Sequence, residues 1–403
     1  MKKLLENKYV FYIICFLIFY PKFFDYKYGA IIIPIIKLAP FTLFILIIVL
    51  MLPGKKCIYP LIGWVLLYRS IFLISNIINK SNSDTYAEWA KVTIWIIAVI
   101  VYFSTLVIEK KSVCINWLRN FMFFMIFVQV IAQIALPNGI ASMSNGVWSD
   151  GIGFIDVDNR LSLFYILAVY IDGIYQIKKY NAIKKYTMLL MCTLSLVVAW
   201  SGSGLCAIAI LIIYYLFSNR RYVQKIVSGY WIFLVYILFV LMFVVIQWIT
   251  PFSNIIVNVL HKDLTLGNRT AIWLYYIAMI LKQPFWGYGT ETNGVYYSNW
   301  MGEWYAHDQV LDICVQGGII ALIVFAFLIV YVKNKVNKNN SYAIIGLNSI
   351  CILAYLIIGI VEHFLINYNV CFWAYLSISY AICFLFGGNN NLIRKKRVKI
   401  KWK

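Results

Sequence analysis

Charge is what this chain of 403 residues has least of. Only 12% of its residues are charged, about half the share usual in soluble domains. Acids are scarcer than bases, 15 against 35, and there are three histidines. With 63% apolar residues and a mean hydropathy of +0.82, the chain cannot cover itself with polar surface in water. That excludes a soluble enzyme, a secreted disulfide scaffold and a disordered protein. The nine cysteines include no CxxC pair and no Cys/His ligand spacing, so neither a disulfide framework nor a metal site is expected. The apolar runs, about 16 to 24 residues long, do not alternate as the roughly 10-residue strands of an outer-membrane barrel would. No internal repeat is visible, which argues against a repeat-built transporter.

What is present is a series of apolar segments long enough for helices crossing a bilayer, each needing about 20 residues. Twelve fit, at 8–21, 30–52, 57–78, 91–108, 118–136, 160–177, 186–201, 203–218, 226–249, 309–332, 341–360 and 367–386. The expected fold is an all-α polytopic transmembrane bundle of about twelve spans with one large structured extracytoplasmic loop. It divides into nine spans over 1–249, the loop 250–308, three spans over 309–388 and a basic tail at 389–403. Lysine and arginine cluster in alternate loops, for example Lys55 and Lys56, Lys110 and Lys111, Lys184 and Lys185, Arg220 and Arg221, and Lys333, Lys335 and Lys338. That is the pattern of cytoplasmic loops, and it turns the net charge of +20 away from nucleic acid. The run 186–217 must then be two helices, reversing at Ser201, Gly202, Ser203 and Gly204. Both termini come out cytoplasmic. The first apolar run follows Lys2 and Lys3 with no small-residue cleavage site, so it is expected to be an uncleaved span.

The chemistry-bearing residues concentrate in and around the loop 250–308. An apolar stretch at 271–281 is too short to span and is expected to lie along the interface. Arg269 opens it; a guanidinium there suits a phosphate or pyrophosphate, and a lipid-headgroup anchor explains it equally well. Pro284, Gly287 and Gly289 mark a sharp turn. Trp286, Tyr288, Trp300, Trp304 and Tyr305 offer faces for stacking on sugar rings, or an aromatic belt. His307 stands where the loop enters span ten; its imidazole suits a general base toward a hydroxyl, or a structural pairing with Asp308 or Asp312. Charges inside spans are costly and point to function. Lys37, Arg69, Arg160 and Arg269 together would make a basic pocket, or Arg160 would pair with the nearby Asp156 and Asp158 instead; Glu362 and His363 would close the pocket or lie in water.

An Arg at a helix start with Trp four residues on, then Pro-x-x-Gly-x-Gly, then His-Asp entering a span with Gly about ten residues later, resembles the O-antigen polymerase and O-antigen ligase superfamily. Here these are Arg269, Trp273, Pro284, Gly287, Gly289, His307, Asp308 and Gly318. The segment opening at Arg160 resembles a second family segment more weakly. One departure stands out: many members carry Ser-Arg where this chain has Ser203 and Gly204, so Arg69 or Lys37 would have to stand in.

The resemblance implies a membrane glycosyltransferase on the outer face of the bacterial cytoplasmic membrane, needing no cofactor. Its donor and acceptor would be oligosaccharides on undecaprenyl pyrophosphate, and a polymerase would pass the growing glycan to the next unit of an O-antigen, capsule or exopolysaccharide. A ligase would pass it to a lipid A core. His307 would be the base and Arg269 the pyrophosphate clamp, with Asp308 or Glu303 orienting the imidazole or binding sugar. Membrane lipids, a flippase and a chain-length regulator would be its neighbours, with no nucleic acid. The competing class is a flippase of about twelve spans, which accounts for Lys37 and Arg69 but not for the ordered loop residues.

Overall fold

The computed structural model describes residues 2–24, 41–144, 149–156, 158–178, 182–241, 269–290, 297–299, 302–365 and 370–400. Lys37, Trp300 and the whole segment 242–268, with His261, lie outside these residues. The described chain is a helical framework. Its helices are α1 (Lys8–Ile18), α2 (Phe41–Met51), α3 (Tyr59–Ile78), α4 (Ser83–Lys110), α5 (Ser112–Ala135), α6 (Asp158–Lys178), α7 (Ala182–Val198), α8 (Gly202–Phe217), α9 (Arg221–Val227), α10 (Trp231–Val240), α11 (Arg269–Lys282), α12 (Gln309–Asn339), α13 (Tyr342–Ile358) and α14 (Cys371–Ile400). Two short antiparallel hairpins interrupt it: β1 (Ala141–Ser144) with β2 (Ser149–Ile152), and β3 (Tyr297–Asn299) with β4 (Gly302–Trp304). Strands were not expected at either place.

Local chemistry sets the helix starts. Asn7, Asn82, Ser201 and Asp308 each accept a backbone N–H from the first turn that follows, at 2.9, 2.9, 3.3 and 2.7 Å, satisfying donors a helix start leaves open. Pro60 sits in the first turn of α3, where its missing N–H costs nothing. The run 186–217 is two helices, α7 and α8, packed on each other.

Five described helices are long and apolar enough to cross a bilayer: Tyr59–Ile78, Ser83–Lys110, Ser112–Ala135, Arg160–Ile177 and Gln309–Asn339. A sixth is reached if α9 and α10, bent by 67°, count as one span. These helices mark a membrane protein. Six more apolar helices of 10–17 residues, including α1, α7, α8 and α13, coincide with expected spans. Outward-facing Phe124, Leu190, Leu194 and Ile213 leave large apolar side chains exposed.

The interior is stitched by polar side chains, since apolar contact alone gives helices little preference for each other over lipid. Ser104 on α4 meets Ser377 on α14 at 2.9 Å. Ser379 donates to the Tyr170 hydroxyl at 2.9 Å, and the Tyr355 hydroxyl donates to the Leu163 carbonyl at 2.9 Å. Asp172, a buried acid within α6, is paired with Arg119 of α5, whose guanidinium also lies 4.9 Å from the Tyr175 ring. Arg119 thus turns inward, 13% exposed, to meet Asp172.

Candidate active site

The turn after α11 docks into a break in α12. At Gly318 the helix adopts φ 69 and ψ −176, a conformation closed to ordinary residues. The break frees carbonyls, and the turn uses them. Tyr288 N–H donates to the Val315 carbonyl at 2.7 Å and Gly289 N–H to the Gln316 carbonyl at 3.0 Å, while Ile319 N–H donates to the Pro284 carbonyl at 2.8 Å. The two backbones lie so close that a β-carbon added at Gly318 would stand 1.9 Å from the Phe285 carbonyl oxygen, and one at Gly287 would stand 2.4 Å from the Val315 oxygen. The end of α3 completes the joint. Ser75 donates to the Gln316 carbonyl at 2.8 Å and Asn79 to the Gly287 carbonyl at 3.0 Å, and Asn76 accepts from Thr290 N–H at 2.8 Å. Trp286 and Tyr288 sit on this turn, both partly buried. The Tyr288 hydroxyl donates back to the Met279 carbonyl at 3.1 Å.

Helix α11 lays Ile272, Trp273 and Tyr276 against α12, with Leu274 and Leu281 facing outward, 69% and 74% exposed. It is the helix expected at the interface. Trp273 donates its indole N–H to the Ala306 carbonyl at 2.9 Å, and Ala306 N–H donates to Asp312 Oδ1 at 3.2 Å. Held from both sides, the chain next places His307 in the left-handed region, at φ 49. That costs an ordinary residue about 1–2 kcal/mol, and such outliers recur at functional sites.

Around His307 the structure gathers residues from four segments. The Tyr305 ring lies 4.4 Å from the His307 ring and 4.1 Å from the His363 ring. Arg160, at the start of α6, donates to the Tyr305 hydroxyl at 2.9 Å. Arg269, first residue of α11, reaches Glu362 at 3.4 Å. His363 Nδ1 stands 3.6 Å from Asp312 Oδ2. Both acids are buried, as is His363. Burial and the charges of Arg269 and Arg160 push the His307 imidazole down to about 3. It is therefore neutral at physiological pH, and a bound anion that offsets the two arginines would raise its affinity for a proton. Burial pushes the Asp308 carboxyl up to about 7 against the opposing pull of the Leu311 and Val310 N–H groups it caps. Asp308 is thus committed to the start of α12.

Of the expected residues, Arg160, Arg269, His307 and the closing pair Glu362 and His363 come together. Arg69 is held elsewhere, in the seam between α3 and α4. It donates to Thr93 at 3.1 Å and to the Trp89 carbonyl at 3.4 Å and lies over the Phe72 ring. Glu303 lies on β4, paired in register with Ser298, and Lys37 is outside the described residues. Gln309 is a residue that the sequence reading missed. Its Oε1 accepts from Phe364 N–H at 2.6 Å and Leu365 N–H at 2.9 Å, and its own N–H donates to the Gly359 carbonyl at 2.7 Å. Gln309 thereby fixes the turn that carries Glu362 and His363 beside His307. A polar residue directly after a helix cap, facing an apolar span, was the signal available.

The family model described as O-antigen ligase matches residues 187–326. That stretch contains Arg269, Trp273, the turn at 284–289, His307 and Gly318, and agrees with the O-antigen polymerase and ligase superfamily. Members of that family are membrane glycosyltransferase-like enzymes of polymerase or ligase type. Comparison with curated proteins returned no match. Arg160, Glu362 and His363 lie outside the matched stretch and join the cluster only in three dimensions.

Proposed function

We propose that this chain polymerises lipid-linked oligosaccharide repeat units, passing the growing glycan from undecaprenyl pyrophosphate to a sugar hydroxyl of the next unit. The observation that carries the reading is the convergence of Arg160 and Arg269 on a neutral His307 at one end of the bundle. Pyrophosphate is a good leaving group, so the main task is to hold it and neutralise the charge it gathers, which guanidinium groups do well. The acceptor oxygen forms a bond to the anomeric carbon as the bond from that carbon to the phosphate oxygen breaks. The electron pair leaves with the pyrophosphate, and the acceptor proton passes to His307. A base placed so contributes on the order of 10²–10⁴ in rate.

In this reading the chain crosses the bacterial cytoplasmic membrane twelve times with both termini inside, and the cluster faces outward. Other assembly proteins, such as a flippase and a chain-length regulator, would work beside it. The matched family's description, O-antigen ligase, is equally compatible with a second reading, in which the acceptor is a lipid A core. The chemistry at the cluster is the same, and only the acceptor differs.

The test uses purified protein in detergent with a lipid-linked repeat unit. A ladder of longer glycans without any membrane gradient supports polymerisation. Transfer only to an added lipid A core supports ligation. No transfer to either acceptor, together with lipid scrambling in liposomes, overturns both in favour of a flippase.

A further inference from the structure

Tyr305 had offered itself as a face for stacking sugar. In the structure the imidazole of His307 is tilted 39° against its ring at 4.4 Å, and that of His363 meets it nearly edge-on, at 80° and 4.1 Å. The imidazole centroids are 6.4 Å apart, so each touches the phenol from its own side. What remains distinctive is the hydroxyl. A phenol has one proton to give and lone pairs to receive. Arg160 donates to the oxygen at 2.9 Å, and a guanidinium cannot accept, so the phenolic proton must point away from Arg160. Burial raises the phenol above its ordinary range, more than Arg160 lowers it, so the proton stays in place at neutral pH.

We propose that the Tyr305 hydroxyl is a further hydrogen-bond donor to the phosphate oxygens of the lipid-linked substrate, and that His363, seated against Asp312, positions the phenol for it. The inference rests on the transferase reading above. Arg160 and the phenol form one unit: the guanidinium polarises the hydroxyl, which strengthens the bond it donates in turn. His363 sits 3.6 Å from Asp312, too long for a hydrogen bond but close enough for the carboxylate to orient the ring. The turn that carries His363 is fixed by Gln309. Nothing in this arrangement requires His363 to touch substrate, so it is a positioning residue.

The probe is farnesyl diphosphate in detergent micelles, titrated calorimetrically against the full-length protein. Tyr305→Phe keeps the ring and removes the proton. It should weaken binding on the order of tenfold or more, the usual cost of a hydrogen bond to a charged group. His363→Ala should weaken binding similarly in the wild-type background and add almost nothing in Tyr305→Phe, because the two act through one hydroxyl. If His363→Ala does not fold, Asp312→Asn replaces it. The asparagine keeps an oxygen for the Ala306 N–H and removes the charge facing His363. Unchanged binding in Tyr305→Phe, with clear loss in Arg269→Gln, overturns the assignment of Tyr305 alone. Losses that multiply in the double variant overturn the positioning role of His363. No binding by the wild type, or none lost in Arg269→Gln, overturns the transferase reading beneath both.

Discussion

Glu362 holds a carboxylate oxygen 3.4 Å from Nη2 of Arg269, so the guanidinium offered to an anion already has a negative neighbour. Any pyrophosphate that approaches must share Arg269 with this acid or push it aside. The Glu362→Gln variant should therefore bind farnesyl diphosphate more tightly, by about tenfold, which corresponds to about 1.4 kcal/mol. Weaker binding in that variant would mean Glu362 shapes the site rather than competing for it.

His307→Ala should lose elongation on the order of 10²–10⁴-fold while retaining most of its affinity for farnesyl diphosphate, since the imidazole acts on the acceptor proton. Single-turnover rates and calorimetry on the same preparation separate the two effects. Near-normal elongation by a well-folded His307→Ala would remove His307 from the chemistry.

The pH dependence has a definite sign. His307 takes up a proton near 6.5 when unfolded and near 3 when folded. Between these values the unfolded chain binds the extra proton, so stability is fully present above about 6.5 and falls as pH drops toward 3. His363 is also lowered by burial and acts in the same direction. His307→Gln should flatten the decline in melting temperature over that window.

Gly318→Ala and Gly287→Ala should leave little folded protein, measured by size-exclusion chromatography, because each added carbon meets backbone rather than a movable side chain. Gly63→Ala is the control. Nothing stands within 4 Å of its added carbon, and in mid-helix alanine should raise stability by up to about 1 kcal/mol.

Gln309→Glu keeps an oxygen for the two N–H groups of Phe364 and Leu365, whereas Gln309→Leu leaves both without it. The first should preserve binding of farnesyl diphosphate far better than the second. Arg69→Ala should lower the melting temperature, since it strips Thr93 and the Trp89 carbonyl of a partner, and leave diphosphate affinity near normal in whatever protein folds. A large specific loss of affinity would return Arg69 to the substrate site.

Local signals were legible and distant ones were not. Ser201 and the glycines after it announced the reversal between α7 and α8 because a cap and a turn depend on neighbouring residues. Arg269 with Trp273, and the glycines at 287 and 289, were found for the same reason. The pairing of Arg119 with Asp172 was not, because it depends on how α5 and α6 are rotated against each other, which periodicity leaves open. The hairpin at 141–152 was hidden by its glycines and serines, which read as loop. The seat of Arg69 between α3 and α4 was not legible because a cation in a span signals a partner without naming it. Its partners in this fold include a threonine, a carbonyl and a phenylalanine ring.

The joint at Gly318 also divides labour along the chain. Main-chain atoms of the 284–289 turn meet main-chain atoms of α12, so their registration is indifferent to what most side chains there become. Trp286 and Tyr288 then add side-chain packing and, for Tyr288, one bond to the Met279 carbonyl to a joint that the main chain already sets. A lineage, or an engineer, seeking a different sugar could rewrite those positions while the machinery beside His307 keeps its coordinates.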